Sequence, residues 1–370
     1  MLDAVLARAN TWMLEHIDPK WIDYVASNTM TDLNRRLNGF IWTYELQAQV
    51  VAVRDEAPGV KTFVMRPNQL WQGFEPGQHV ELVLPIRDVQ GLPVKRFYSV
   101  SPQPQGRFSI TVKQTRQGRA SRWLHERLQV GQRLPISQAQ GRFCRRTDQA
   151  RLLYLCAGSG ITPCHSMVSA ALAGPAAQRP DMQVIAQFRE ADDLIFKDDL
   201  AAWKQAGVKV DTLFSSGSPQ GLPASRLDAE QLRRLCPDLA RREVYLCGPE
   251  GFMHGMIQAL QSLGVDPLRI HTERFTVSHL TPSTGFSVAG TEVRFKHIDA
   301  CFTMTAADEG KTLLQAALDH GVNLERGCTQ GMCGTCKLSV HDGEISGNVL
   351  GRAVYMCTSY PASRQIVLGP

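Results

Sequence analysis

The chain has 370 residues, 43% of them hydrophobic and 20% charged, which describes a folded protein of two or three domains rather than a disordered chain. The net charge of +5 is spread along the sequence, so it suits anionic cofactors or an acidic partner and argues against nucleic-acid binding. A membrane-spanning helix needs about 18 consecutive uncharged apolar residues, and no stretch of the chain comes near that length. Residues 1–19 lack the features of a secretory signal. We therefore expect a cytoplasmic protein with reduced thiols.

Residues 1–44 form a segment of their own. Apolar residues recur there near helical spacing, at Leu2, Val5, Leu6, Ala9, Trp12 and Met13. Such a helix can dock on a membrane surface or pack against the next domain, and the acids and bases on its polar face favour packing. We predict a helical extension over 1–44 that meets a membrane at most indirectly.

Short runs of alternating apolar and polar residues follow the extension. They cover residues 46–54, 61–66, 79–84, 96–101 and 108–113, and turn sequences rich in proline and glycine separate them. Strands at this spacing predict a small antiparallel β-barrel over 45–147, with one helix at 121–128 and a closing strand at 134–137.

Two short motifs in the barrel suit a flavin. In the sequence R-F-Y-S at 96–99, the guanidinium can clamp a phosphate and the tyrosine ring can stack on a flat ring, although this pattern is common in strands. The sequence G-R-A-S at 118–121 opens the predicted helix, where backbone N–H groups and a serine make an anion site.

These motifs resemble the R-x-Y-S and the pyrophosphate-binding G-x-x-S of the ferredoxin reductase family. The resemblance implies that the barrel binds FAD, and FMN is less favoured because it has no pyrophosphate for the second motif to hold. It implies flavin-binding roles for Arg96, Phe97, Tyr98, Ser99, Gly118, Ala120 and Ser121. Ser99 is then one of two candidate catalytic residues near the site of hydride transfer.

From about residue 151, apolar strands alternate with helices, which predicts an α/β domain with a doubly wound parallel sheet over 148–276. The strand at 151–157 leads into G-S-G-I-T-P at 158–163, where glycines at a strand-to-helix turn let a pyrophosphate approach the backbone. A lone G-x-G carries little weight, but C-G-P follows at 247–249, at the end of the strand at 243–247.

Both sequences resemble nucleotide-binding motifs of the same family, and so does the segment 271–275 that closes the domain. The resemblance implies that the domain binds the nicotinamide dinucleotide through Gly158, Ser159, Gly160, Thr162, Pro163, Cys247, Gly248, Pro249, Glu273 and Phe275. Cys247, beside the nicotinamide, is the second candidate catalytic residue. Neither it nor Ser99 is required as an acid or base, so we expect both to position the reactants.

The choice between NADH and NADPH stays open. Family members that take NADPH tend to carry a Ser-Arg pair after the third strand of the sheet, and residues 214–217 here read F-S-S-G. Arg189 and Arg226 can still meet a 2′-phosphate, or they can simply be surface charges.

A linker rich in Ser, Thr and Gly at 277–289 precedes the last domain, 290–370. Cys328, Cys333 and Cys336 have C-x4-C-x2-C spacing, and Cys357 follows after twenty residues. This is the plant-type [2Fe–2S] spacing, whereas zinc prefers paired C-x2–4-C units. Glycines in the loop allow the thiolates to wrap one cluster and allow backbone N–H groups to point at sulfur.

The segment 285–370 resembles a ferredoxin-type domain. The resemblance implies an α+β (β-grasp) fold, with a strand at 302–305 and a helix at 313–320, and a cluster held by Cys328, Cys333, Cys336 and Cys357. The stretch between Cys336 and Cys357 is shorter than is common in that family. We expect the shortening to change how the cluster is protected from solvent and to leave its ligands unchanged.

Residues 45–370 as a whole resemble a ferredoxin reductase fused to a C-terminal [2Fe–2S] domain. The resemblance implies an NAD(P)H-dependent oxidoreductase that passes electrons from NAD(P)H through FAD and the cluster to an oxygenase, an acyl desaturase or a hybrid-cluster protein. The extension and residues 188–196 look most like reductases of the last two kinds. We expect a monomer. The alternative is a redox-sensing or regulatory flavo-iron–sulfur module without a dedicated acceptor.

Overall fold

The computed structural model describes residues 39–40, 43–87, 91, 93–115, 118–146, 149–216, 226–275, 286–325, 331 and 334–370, together with Trp12 and His16. The chain separates into two compact units, Met1–Ala139 and Gln140–Pro370. Most of the predicted extension over 1–44 and most of the predicted linker lie outside the described residues, as do Cys328 and Cys333, and the predicted domain boundaries stay predictions. Within the described residues, no helix is both long and apolar enough to cross a membrane.

The first unit is a near-closed antiparallel barrel, as the alternating pattern predicts. Its strands are β1 (Gln47–Ala57), β2 (Val60–Pro67), β3 (His79–Arg87), β4 (Pro93–Gln103), β5 (Arg107–Lys113) and β6 (Arg133–Pro135), in the sheet order β3-β4-β5-β2-β1-β6. Leu82 of β3 pairs with Ile136 just beyond β6, so the first and last strands of the sheet meet. Helix α1 (Arg119–Arg127) buries Leu124 against the barrel core.

The second unit begins with a five-stranded parallel sheet. Its strands are β7 (Arg151–Ala157), β8 (Asp181–Phe188), β9 (Lys209–Phe214), β10 (Glu243–Cys247) and β11 (Ile270–Glu273), in the order β11-β10-β7-β8-β9. Its helices are α2 (Ile161–Ala173), α3 (Lys197–Gln205), α4 (Ala229–Leu235) and α5 (Glu250–Ser262). The strand order reverses between β7 and β10, and open α/β sheets form their ligand clefts at such a switch point.

A mixed six-stranded sheet with one helix completes this unit. It contains β12 (Glu292–Phe295), β13 (Ala300–Thr303), α6 (Leu313–Asp319), β14 (Lys337–Asp342), β15 (Ile345–Leu350), β16 (Ala353–Pro361) and β17 (Gln365–Gly369), and the sheet order is β13-β12-β17-β14-β16-β15. Helix α6 begins with a capping box between Thr312 and Gln315 and buries its apolar face on this sheet. The predicted α+β class is confirmed.

The short stretch between Cys336 and Cys357 is itself regular structure. It forms β14, β15 and the start of β16, and Gly343 and Gly351 supply the positive φ angles of its two tight turns. Leu350 at the end of β15 is 2% exposed and belongs to the apolar core of the parallel sheet, together with Ile257 of α5. The parallel sheet and the mixed sheet therefore share apolar core residues.

A buried carboxylate stabilises the loop before α6. Asp308 is 2% exposed and accepts hydrogen bonds from His320 Nε2 at 2.8 Å, Lys311 Nζ at 3.1 Å and the Thr305 N–H at 2.8 Å. Burial by itself raises the pKa of Asp308, but the hydrogen bonds from these three residues outweigh it and hold the pKa well below its usual range. The carboxylate is therefore charged at neutral pH.

We expect Asp308→Asn to lower the free energy of unfolding by about 2 kcal/mol at neutral pH, because the amide cannot accept from all three donors. The folded-state pKa is depressed, so this stabilisation is present above the unfolded carboxyl pKa of about 4 and is lost as the pH falls through the lower folded value. Urea denaturation at several pH values measures it. Glu344→Gln, an exposed change of the same charge, is the control, and equal effects of both substitutions would contradict the role of Asp308.

Candidate functional site

Strand β4 carries the predicted flavin motif of the barrel. Arg96 is exposed, Phe97 and Tyr98 are half-buried, and Ser99 is buried. Burial raises the pKa of the Tyr98 hydroxyl well above its usual range, against the opposing effect of Arg96, so this hydroxyl stays protonated at neutral pH. An aromatic ring anchored in the barrel core beside an exposed guanidinium is suited to stacking on a flavin ring and binding a phosphate.

The start of α1 is tied to the preceding turn by two hydroxyl groups. The Thr115 N–H donates to Ser121 Oγ at 3.1 Å, and the two hydroxyl oxygens lie 3.2 Å apart. A Cβ on Gly118 would lie 2.0 Å from Thr115 Oγ1 and 2.6 Å from Ser121 Oγ, so a side chain there would displace the two hydroxyl groups. Ser121 therefore links the first turn of α1 to the preceding turn, and the backbone N–H groups of a first helical turn, such as that of Ala120 here, favour anions. Thr115 is a partner that the motif did not reveal.

The two loops at the switch point of the parallel sheet contact each other through glycines. Residues 158–160 form a tight turn after β7, with Gly158 at φ +53°, and Thr162 Oγ1 donates to the Ser159 carbonyl at 3.0 Å. A Cβ on Gly160 would lie 2.3 Å from the Cys247 carbonyl oxygen and 2.6 Å from the Gly248 nitrogen. The structure thus brings the predicted segments 158–163 and 247–249 together.

Cys247 lies in the middle of three neighbouring strands. It is fully buried, and its register partners are Cys156 on β7 and Glu273 on β11. Burial, reinforced by the charge of Glu273, raises the pKa of the Cys247 thiol well above its usual value. The thiol is therefore neutral and suited to packing beside a ligand, not to nucleophilic or base chemistry. Phe275 follows β11 at the same edge of the sheet.

Arg189 and Arg226 also reach the carboxyl edge of the sheet. The Ser216 N–H donates to the Arg189 carbonyl at 3.0 Å, and the Leu227 N–H donates to Gln187 Oε1 at 2.7 Å, which brings Arg226 to the end of β8. Both arginines are exposed. Two exposed arginines therefore lie at this edge, and Arg189 Nε is 3.6 Å from Glu190 Oε1.

Two of the four predicted cluster ligands lie in the described residues. Cys336 and Cys357 are each 7% exposed and belong to the same apolar core, and the Met356 N–H donates to the Cys336 carbonyl at 3.4 Å, so the two segments lie side by side. The Gly331 N–H donates to Cys357 Sγ at 3.1 Å, with Gly331 and Gly334 at φ +72°. Buried thiols with a backbone N–H aimed at sulfur fit a [2Fe–2S] cluster.

Asn348 contacts the cysteine loop at Gly331, and no sequence motif indicated this residue. It lies at a β-bulge in β15, next to Gly347 at φ +103°, and it is 1% exposed. Its Nδ2 donates to the Gly331 carbonyl at 3.1 Å, so Asn348 holds the residue whose N–H meets Cys357. The signal in the sequence is the Gly-Asn pair inside a strand, since glycine there often marks a bulge that redirects a side chain.

Comparison with known proteins gives the same three parts in the same order. Family models match the oxidoreductase FAD-binding domain at residues 47–144, the oxidoreductase NAD-binding domain at 154–258 and the 2Fe-2S iron-sulfur cluster binding domain at 299–362. The glycine betaine monooxygenase reductase subunit of Pseudomonas aeruginosa is 31% identical over 320 residues, covering 80% of this chain and 85% of that protein. The stachydrine N-demethylase reductase subunit of Rhizobium meliloti is 29% identical over 319 residues, covering 82% and 88%.

Among solved structures, phthalate dioxygenase reductase matches over 88% of this chain and 98% of its own, with a TM-score of 0.56 and 21% sequence identity. At this identity the match establishes the fold.

We expect Gly160→Ala to lower the free energy of unfolding by about 1–3 kcal/mol, because the added methyl collides with the backbone of β10 rather than with a side chain that can move. It should also weaken binding of NADH or NADPH, measured by titration calorimetry. Gly255→Ala is the matched control: it lies in α5 with nothing within 4 Å of the new methyl, and it should be neutral or stabilising. Wild-type binding by Gly160→Ala would remove this contact from the nucleotide site.

We expect Arg189→Ala and Arg226→Ala each to raise the KM for NADPH about tenfold, the loss of roughly one charge-assisted hydrogen bond, and to leave the KM for NADH nearly unchanged. Steady-state kinetics with both nucleotides measures it. Arg233→Ala, an exposed arginine near the other end of α4, should change neither value. Equal changes for NADH and NADPH would show that the two arginines do not contact a 2′-phosphate.

Proposed function

Because the chain belongs to the family of flavin- and iron–sulfur-containing reductases that serve oxygenases, we propose that it is the electron-supplying component of an oxygenase system. It is an NAD(P)H-dependent oxidoreductase with FAD and a [2Fe–2S] cluster as cofactors, and electrons pass from NAD(P)H through FAD and the cluster to the partner. The observation that carries this conclusion is the presence of FAD-binding, NAD-binding and 2Fe-2S domains in one chain, in the order of its relatives.

We propose that the barrel residues hold FAD. Arg96 binds its phosphate, Tyr98 stacks on its ring and the buried Ser99 hydroxyl lies near the reacting edge. The start of α1, kept open by Gly118 and braced by Ser121, holds the pyrophosphate. When bound, a flavin accepts two electrons from a nicotinamide and releases them singly to an iron–sulfur cluster.

In the parallel sheet, residues 158–163 and 247–249 bind the nicotinamide nucleotide, with Glu273 and Phe275 beside them. The neutral thiol of Cys247 and the protonated hydroxyl of Tyr98 exchange no proton in this scheme. The residues around the cofactors therefore orient and separate the reacting rings, and none of them is consumed as an acid or base.

The acceptor that we propose is an oxygenase. The relatives described above are reductase subunits of a glycine betaine monooxygenase and of a stachydrine N-demethylase, which favours an oxygenase over the desaturase and hybrid-cluster alternatives. We further propose that the chain acts as a monomer and meets its acceptor at the cluster loop, since that loop contains the last electron carrier.

Electron transfer to a one-electron acceptor tests this function. The purified holoprotein should show overlapping flavin and cluster absorption and should reduce cytochrome c with NADH or NADPH. A holoprotein with both cofactors that reduces cytochrome c with neither nucleotide would contradict the reductase function and favour a redox-sensing module.

We expect Cys333→Ser to abolish the cluster absorption and to lower cytochrome c reduction at least tenfold, while the flavin bands and the reduction of ferricyanide remain, because ferricyanide takes electrons from the flavin directly. Cys301→Ser is the control, since Cys301 is an exposed thiol outside the cluster motif. Cytochrome c reduction at the wild-type rate by Cys333→Ser would show that the cluster is not on the electron path.

A further inference from the structure

Arg274, which directly follows β11, is a buried cation. It is 3% exposed. It donates to Asn348 Oδ1 and to the Val349 carbonyl at 3.5 Å, and its Nη2 lies 3.2 Å from His254 Nε2. Its guanidinium carbon lies 6.0 Å from the centre of the Tyr355 ring. In the described part of the chain, no carboxylate lies within ion-pair distance of Arg274, and its Nε has no hydrogen-bond partner.

A buried charge is costly unless an opposite charge compensates it. Glu250 is the acid whose charge acts on Arg274, but it acts only at longer range and lies 3.9 Å from His254. Amide, carbonyl, imidazole and aromatic groups supply dipoles and not a full negative charge. Compensation of the buried charge on Arg274 therefore requires a negative group other than a side-chain carboxylate.

The contacts of Arg274 lead from the nucleotide domain to the cluster loop. Asn348 accepts from Arg274 through Oδ1 and donates through Nδ2 to the Gly331 carbonyl, and the Gly331 N–H donates to Cys357 Sγ. One amide side chain and one glycine thus separate the guanidinium from a cluster sulfur. The bulge that aims Asn348 inward depends on Gly347, where a Cβ would lie 2.6 Å from the Thr358 carbonyl oxygen.

We propose that Arg274 is a positioning residue that balances the charge of the [2Fe–2S] cluster and raises its reduction potential. A tetrathiolate cluster is anionic and gains one more negative charge on reduction, so a fixed buried cation nearby favours the reduced form. Through Asn348, Arg274 also fixes Gly331, whose N–H stabilises charge on Cys357 Sγ. This inference rests on the cluster of the proposed function, and it identifies a group of the nucleotide domain that sets the driving force of its last step.

The test is an anaerobic redox titration of the holoprotein, with the reduced cluster followed by electron paramagnetic resonance and the flavin by absorption. We expect Arg274→Gln, which keeps a donor but loses the charge, to make cluster reduction about tenfold less favourable, which is about 59 mV for a one-electron couple. Arg274→Lys should stay closer to wild type because the charge remains. Asn348→Ser should also lower the potential, since it releases Gly331.

Arg352→Gln is the matched control: it makes the same charge change at an exposed position, in the turn after β15. It should leave the cluster potential unchanged, and the flavin potential should be constant in all variants. An unchanged cluster potential in Arg274→Gln, or an equal shift in Arg352→Gln, would overturn the proposal. Loss of the cluster from both Arg274 variants would overturn it too, by giving Arg274 a structural role only. The wild-type spectrum reports separately whether a cluster is bound at all, which is the premise taken from the proposed function.

Discussion

The packing of Gly160 against the backbone of Cys247 is the constraint on which the nucleotide-binding unit depends. It allows the turn after β7 to contact the end of β10, so that the two neighbouring loops pack against each other at the switch point. The register of β10 then fixes β11, because Cys247 pairs with Glu273. Arg274 leaves the sheet one residue later, which places it against the cluster-bearing domain. The absence of a side chain at position 160 thus permits this close approach, and strand pairing relates it to Glu273 and Arg274.

The sequence predicts much of this architecture because local patterns determine it. The alternating runs that become β1 to β5 each bury one face in the barrel, and the apolar runs of β7, β8 and β10 are buried on both faces. The cysteine spacing and the glycine turns are short motifs whose chemistry can be inferred without a fold. Strand ends move by a few residues, as at β13, which begins at Ala300 and not at 302, because tertiary pairing and not propensity decides where a strand stops.

Arg274 and Asn348 could not be predicted in the same way. Each is an ordinary polar residue in its own segment, and they become special only because a bulge turns one inward and the sheet order brings the other to it. Thr115 is a similar case, since its link to Ser121 depends on the exact turn before α1. Motifs identify the residues that touch a cofactor, whereas the residues that support them depend on contacts between segments far apart in the chain.

The burial of Leu350 in the core of the parallel sheet bears on how such reductases can be recombined. An exchange of the C-terminal domain between two reductases assumes that this domain packs independently of the rest of the chain. In this chain one residue of the C-terminal domain, Leu350, packs in the apolar core of the nucleotide domain with residues of α5 such as Ile257. A transplanted domain would need an apolar residue of similar size at position 350. Without one, an apolar cavity would remain beside α5. The boundary along the sequence is therefore not a boundary in the packing.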